Sequence, residues 1–166
     1  MKLSNLKRPL LQPSSALEEP ESPAAWSRVD RLPEQTLQGQ EVIAVTMTCL
    51  DRHRVRRKLT TSDGQGFALA LPTGMVLQAG MVLSKNSTTA YVVEAAPEAV
   101  LVIHPESHVE ALRIAYAIGN LHRDVQVDGD TLVVLAEGSM ELQLQRLKVA
   151  FLREVRPFLG KPAWEH

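Results

Sequence analysis

Beyond about Glu98 the hydrophobic pattern switches repeatedly between strand and helix periods. The order of those switches restricts the fold more than any other feature of the chain. Val100-Leu101-Val102-Ile103 reads as a buried strand, and His104-Pro105-Glu106 breaks it. Ser107, with Glu110 three residues later, fits a capping box that opens a helix. Val109, Leu112, Ala115 and Tyr116 fall on one face of that helix. Its expected stop is Gly119-Asn120, the residue types that most readily turn left-handed. Val125-Gln126-Val127 and Leu132-Val133-Val134-Leu135 then read as strands joined by the hairpin signal Asp128-Gly129-Asp130. Ser139 and Glu141 open a second helix with Leu142, Leu144, Leu147, Val149 and Phe151 at its apolar positions, and residues 154–158 read as a last short strand. The order β-α-β-β-α-β is that of a ferredoxin-like domain over residues 98–158.

The preceding residues 41–97 read differently. Short β-branched or alternating runs, such as Val42-Ile43-Ala44-Val45 and the Phe67, Leu69, Leu71 series, are separated by Asp63-Gly64, Pro72-Thr73-Gly74 and Ala79-Gly80. Strands punctuated in this way imply a small all-β domain. The fold class expected is therefore α+β, an all-β domain followed by a ferredoxin-like one. Residues 1–40 carry Pro9, Pro13, Pro20, Pro23 and Pro33 with serines and the acidic cluster Glu18, Glu19 and Glu21. So little apolar surface does not offset the entropy of ordering, and a disordered extension is expected there. Residues 159–166 are expected to be a tail.

Composition narrows the function classes. A hydrophobic share of 45% supports a core, and aromatics at only 4% leave aliphatic side chains to fill it. A formal net charge of -1 gives no basic footprint for nucleic acid, and Val100–Ile103 and Val125–Val127 offer no aromatics on which bases could stack. No apolar run is long enough to span a bilayer, and the first residues lack the apolar stretch of a secretory signal. The single cysteine, Cys49, permits no internal disulfide and suits a reducing cytoplasm. Cys49 reads as a small buried hydrophobe in a strand, and His53 as part of the solvated basic run from Arg52 to Lys58. His104 and His108 are four apart, but Pro105 keeps them off one helical face. No nucleophile elbow, phosphate loop, paired-cysteine zinc site or two-histidine zincin helix is present, so an enzyme is not expected.

His122 is the histidine whose position suggests chemistry. It follows directly on the helix stop, where a rigid turn would fix the direction of its side chain. A neutral imidazole is a good ligand for nickel, copper or zinc. One imidazole cannot hold a metal alone, but a residue near a two-fold axis meets its own copy in a homodimer.

Several segments taken together resemble the UreE family of urease accessory proteins. They are Arg54-Val55-Arg56-Arg57-Lys58-Leu59, then Asp63-Gly64, then 69–77, then Gly80-Met81-Val82-Leu83, then 95–102, then Pro157-Phe158. The stretch from Tyr116 through Gly119-Asn120-Leu121-His122 carries the most specific match, to a tyrosine-x-hydrophobic-Gly-Asn-Arg-His motif. The resemblance implies a homodimeric nickel metallochaperone. It would bind Ni²⁺ at the dimer interface through His122, with Zn²⁺ or Cu²⁺ able to compete, and deliver it to apo-urease through an accessory GTPase complex. It also implies an N-terminal β domain that meets partner proteins. This chain departs from the family pattern at Leu121, Thr73 and Met81, and it lacks a histidine-rich tail, keeping only His166 as a candidate extra ligand. A rival expectation is a metal-independent dimeric module that captures a peptide on a sheet edge.

Overall fold

The computed structural model describes residues 25–161. Expectations for residues 1–24 and 162–166, His166 among them, lie outside the described residues, whereas Lys161 of the expected tail bridges to Val125. The elements in chain order are β1 (Trp26–Val29), β2 (Glu41–Met47), α1 (Cys49–His53), β3 (Arg56–Thr60), β4 (Gly66–Ala70), β5 (Val82–Lys85), β6 (Thr89–Ala95) and β7 (Pro97–Ile103). They continue with α2 (His108–Asn120), β8 (Gln126–Asp128), β9 (Thr131–Leu135), α3 (Gly138–Arg146) and β10 (Leu152–Pro157). The class is α+β, in two units, as the sequence predicts.

The first unit packs two three-stranded sheets, ordered β1-β4-β3 and β2-β6-β5. Their shared core is aliphatic apart from Phe67, with Met47, Leu71, Leu77, Leu83 and Val93 closely buried. Tyr91 packs its edge on Phe67 at 4.9 Å between ring centroids, an arrangement that adds to the area buried. The Asp63-Gly64 turn joins β3 to β4, and Gly64 takes φ 84°, which glycine adopts without a Cβ clash.

The expectation of a disordered extension through residue 40 is corrected by β1. Trp26 to Val29 pair in parallel with Gly66 to Leu69. Val29 enters the core, and the Lys58 ammonium lies 4.8 Å from the Trp26 ring centroid. The loop that follows is pinned by Gln35, whose side-chain amide donates to the Val82 carbonyl and accepts from the Val82 N–H. That amide serves as a strand partner at the edge of β5. Proline content misleads here because a short strand needs only a few apolar anchors.

The second unit is a four-stranded antiparallel sheet of order β10-β7-β9-β8, the ferredoxin-like topology. Pro157 closes β10 at the sheet edge, where a missing N–H is tolerated. Alternation along β7 and β9 divides the core in two. Leu101, Ile103, Leu132 and Val134 face Ile114 and Ile118 of α2 and Met140 and Leu144 of α3. Val100, Val102 and Val133 face the other way, onto Phe158 and Cys49. Cys49 belongs to the first unit, so that second face is where the two units meet.

The predicted core face of α2 is the wrong one. Val109, Leu112 and Tyr116 are 60%, 59% and 72% exposed. Ile114 and Ile118, with Ala115 beside them, pack on the sheet. A helix carrying two apolar stripes does not reveal from periodicity alone which stripe the sheet will cover. Similarly, α3 ends at Arg146, and Val149 and Phe151 reach the core from the segment after it. Residues 75–77 lie outside any strand, although Leu77 is fully buried. Among the described residues, no helix is long and apolar enough to cross a membrane.

Candidate functional site

α2 ends at Asn120, where the sequence places its stop, but Gly119 and Asn120 are themselves helical. The chain turns at His122 itself, where φ is +52°. The His122 N–H donates to Gly119 O at 2.9 Å, and the Arg123 N–H to Ile118 O at 3.4 Å. This reciprocal pair is a Schellman motif, with histidine in the left-handed position usually given to glycine. The turn holds His122 exposed on a fixed backbone, so the sequence-based expectation of a rigid corner stands although the residue that makes the corner differs. His104 and His108 are also exposed, at the two ends of the short link into α2.

His122 lines a pocket of about 310 Å³ between the two units, together with Cys49, His53, Asp124, Leu135 and Met140. Two of these, Cys49 and His53, carry no metal-ligand signal in the sequence, and α1 is the element that brings them together. Thr48 caps that short helix: its hydroxyl accepts from the Asp51 N–H, and the Asp51 carboxylate accepts from the Thr48 N–H. Cys49 and His53 thus stand four apart on one helical turn and share a face. The legible signal was Thr48-x-x-Asp51, a capping box in a stretch taken for strand and turn.

Asp124, two residues past the His122 turn, meets that face. Its Oδ2 lies 2.8 Å from His53 Nε2 and accepts a hydrogen bond from Cys49 Sγ at 3.4 Å. A carboxylate acceptor assigns the ring proton to Nε2. Burial, then the Asp124 charge and its hydrogen bond, push the Cys49 thiol up to about 12, so the sulfur carries its proton. Cys49 N–H donates to Glu98 Oε2 at 2.6 Å, fastening the start of α1 to the strand that opens the second unit. Arg52, buried in the same helix, donates to the Phe158 carbonyl. Arg123 pairs with Glu137 at 2.7 Å at the rim. The pocket therefore gathers sulfur, nitrogen and oxygen donors from both units.

The chain matches the UreE urease accessory protein N-terminal domain over residues 28–96 and the UreE C-terminal domain over residues 98–163. It is 44% identical over 165 residues to the urease accessory protein UreE of Deinococcus radiodurans, covering 99% of this chain and 97% of that one. The UreE protein of a Synechococcus strain is 42% identical over 129 residues, 78% of this chain and 87% of its own. The two domain matches meet at Ala96-Pro97, where β6 gives way to β7. With likeness along nearly the full length, they make this chain a member of the UreE urease accessory protein family.

Proposed function

We propose that this protein is a non-catalytic nickel carrier of urease assembly, working as a cytoplasmic homodimer with Ni²⁺ held between two copies of His122. The observation that carries the proposal is the Schellman turn that presents His122 to solvent at the end of a helix with an exposed apolar stripe. Val109, Leu112 and Tyr116 lie on one side of α2, and Leu121, next to the histidine, is 38% exposed. A two-fold contact along that stripe would bury it and bring His122 towards its copy. Two imidazoles leave positions for water or for His166, and an incompletely ligated ion can be released to an acceptor. Imidazole does not choose nickel, so Zn²⁺ and Cu²⁺ would compete. The names of the relatives support urease assembly as the setting, and the family resemblance implies apo-urease and its accessory GTPase complex as the receiving partners. The net charge of -1 supports a protein partner rather than nucleic acid.

Calorimetric nickel titration with light scattering tests this. Wild type is expected to bind one His122-dependent ion per dimer, His122→Ala to lose that ion and remain dimeric, and Leu112→Glu to become monomeric and lose it too. A dimer that binds no nickel would fit a metal-independent peptide-binding module instead. Undiminished affinity in His122→Ala would overturn the assignment.

A further inference from the structure

We propose that Cys49, His53 and Asp124 form a second divalent-cation site, contained within one protomer and joining its two units. It would take a borderline ion such as Zn²⁺, Co²⁺ or Ni²⁺ through one sulfur, one nitrogen and one oxygen. The site is distinct from a His122 pair across a dimer axis and does not depend on dimerisation.

The donor atoms of the three residues all lie within 4.8 Å of one another. Zinc-type bond lengths of about 2.0–2.3 Å space tetrahedral donors roughly 3.3–3.6 Å apart. The Nε2···Oδ2 distance of 2.8 Å must therefore open, and the Sγ···Oδ2 distance of 3.4 Å already fits. The adjustment would fall to the side chains, because the backbone of each donor is held independently. The Thr48 capping box fixes α1, and the His122 turn fixes the segment leading to Asp124. Cys49 Sγ and His53 Nε2 both converge on the single oxygen Asp124 Oδ2 as hydrogen-bond donors. Their two protons occupy the place where a cation would bind the same three atoms.

Burial favours an ion over a loose surface contact. Cys49 is 4% exposed, and the side chains of His53 and Asp124 are 25% and 14% exposed. The donor set selects the class of ion. A thiolate and an imidazole suit zinc, cobalt and nickel, whereas calcium and magnesium require oxygen. On binding, the thiol releases its proton to solvent and a metal–sulfur bond replaces the S–H bond. The neutral His53 ring shifts its one proton from Nε2 to Nδ1 and offers the freed lone pair. The fourth position faces the pocket that His122 also lines, so the ion remains exchangeable with that histidine and with solvent.

Cobalt(II) titration of the full-length protein tests the site, because a thiolate-to-cobalt charge-transfer band reports sulfur ligation directly. The band is expected to saturate at one Co²⁺ per protomer, to disappear on Zn²⁺ addition and to be absent in Cys49→Ser. Asp124→Asn, close in shape, should weaken cobalt binding by about tenfold or more while keeping the native circular dichroism spectrum. His122→Ala should leave the band intact, so loss of the interprotomer nickel site and loss of this one are read separately. No band in folded wild type, a band that survives Cys49→Ser, or a band lost only in His122→Ala would overturn the proposal and leave the three residues as a hydrogen-bonded latch between units.

Discussion

His122 and Lys148 are the non-glycine residues with positive φ among the described residues, at 52° and 58°. Each ends a helix in the same way, since Lys148 N–H donates to Gln145 O and Val149 N–H to Leu144 O after α3. Left-handed backbone costs an L-residue about 1–2 kcal/mol, part of which glycine returns by being more flexible when unfolded. His122→Gly and Lys148→Gly should therefore each raise stability by about 0.5–1 kcal/mol in urea denaturation. Only the first should remove the interprotomer nickel site. That contrast separates a histidine retained for ligation from a turn that merely tolerates a side chain, since the strain is common to both. The sequence points to His122 and to a helix end at Gly119-Asn120, but it gives the left-handed turn to those two residues rather than to His122. Glycine permits positive φ without requiring it, and the turn forms where the Ile118 and Gly119 carbonyls find their donors. Asp63 offers a pH test at the same scale. The Thr61 hydroxyl, ahead of Tyr91 and the Gln65 N–H, holds its carboxyl below the usual aspartate range. A depressed value means the folded form binds the proton less tightly than the unfolded one. The contribution is therefore complete above the ordinary aspartate range and is lost as pH falls through the depressed value. Asp63→Asn keeps a good turn residue before Gly64, so its melting temperature should lie below wild type near neutrality and converge with it in acid.

α1 shows why part of the candidate site escaped sequence reading. It is five residues long, too short for periodicity to register, and its capping residues are the only strong signal. Thr48→Ala should lower stability by about 1 kcal/mol through the lost cap. It should also loosen the Cys49–His53 pair, which alkylation of the thiol would reveal. Cys49 in wild type should resist alkylation until denaturant is added, because it is buried and protonated, and Thr48→Ala should react faster under native conditions. By contrast, β7 and the β8–β9 hairpin were legible because a continuous apolar run and an Asp-Gly turn each admit few alternatives. The two apolar stripes of α2 were legible as a helix but not as a choice of buried face. That choice follows from the sheet, whose Leu101 and Ile103 receive Ile114 and Ile118.

At the scale of the whole molecule, Phe158 is one of the side chains at the junction of the two units. Phe158 is fully buried against Val100, Val102 and Val133 on the sheet face that also receives Cys49, and its carbonyl accepts from buried Arg52. Gly160 closes over the ring: a Cβ there would lie 2.1 Å from Cζ of Phe158, too near for any side chain unless the ring moves. The Pro157-Phe158 pair was visible in the sequence only as a family likeness. Its physical role depends on a residue brought from more than a hundred positions away, which no local pattern encodes. Phe158→Ala removes a large buried ring and should cost about 3–5 kcal/mol. Gly160→Ala should destabilise in the same direction by forcing the ring to shift. The expected signature is spatial as well as energetic. Hydrogen exchange should accelerate in α1 and β7, which lean on Phe158 from opposite units, while the β3–β4 hairpin, whose core is built on Phe67 and Leu69, keeps its protection. Equal acceleration in β3–β4 would mean that the units unfold as one body, and no change in α1 would mean that Phe158 serves the ferredoxin-like unit alone. If the cation site is correct, adding Zn²⁺ to Phe158→Ala should restore part of the α1 protection, because an ion bound to Cys49, His53 and Asp124 ties the same two units together by mass action.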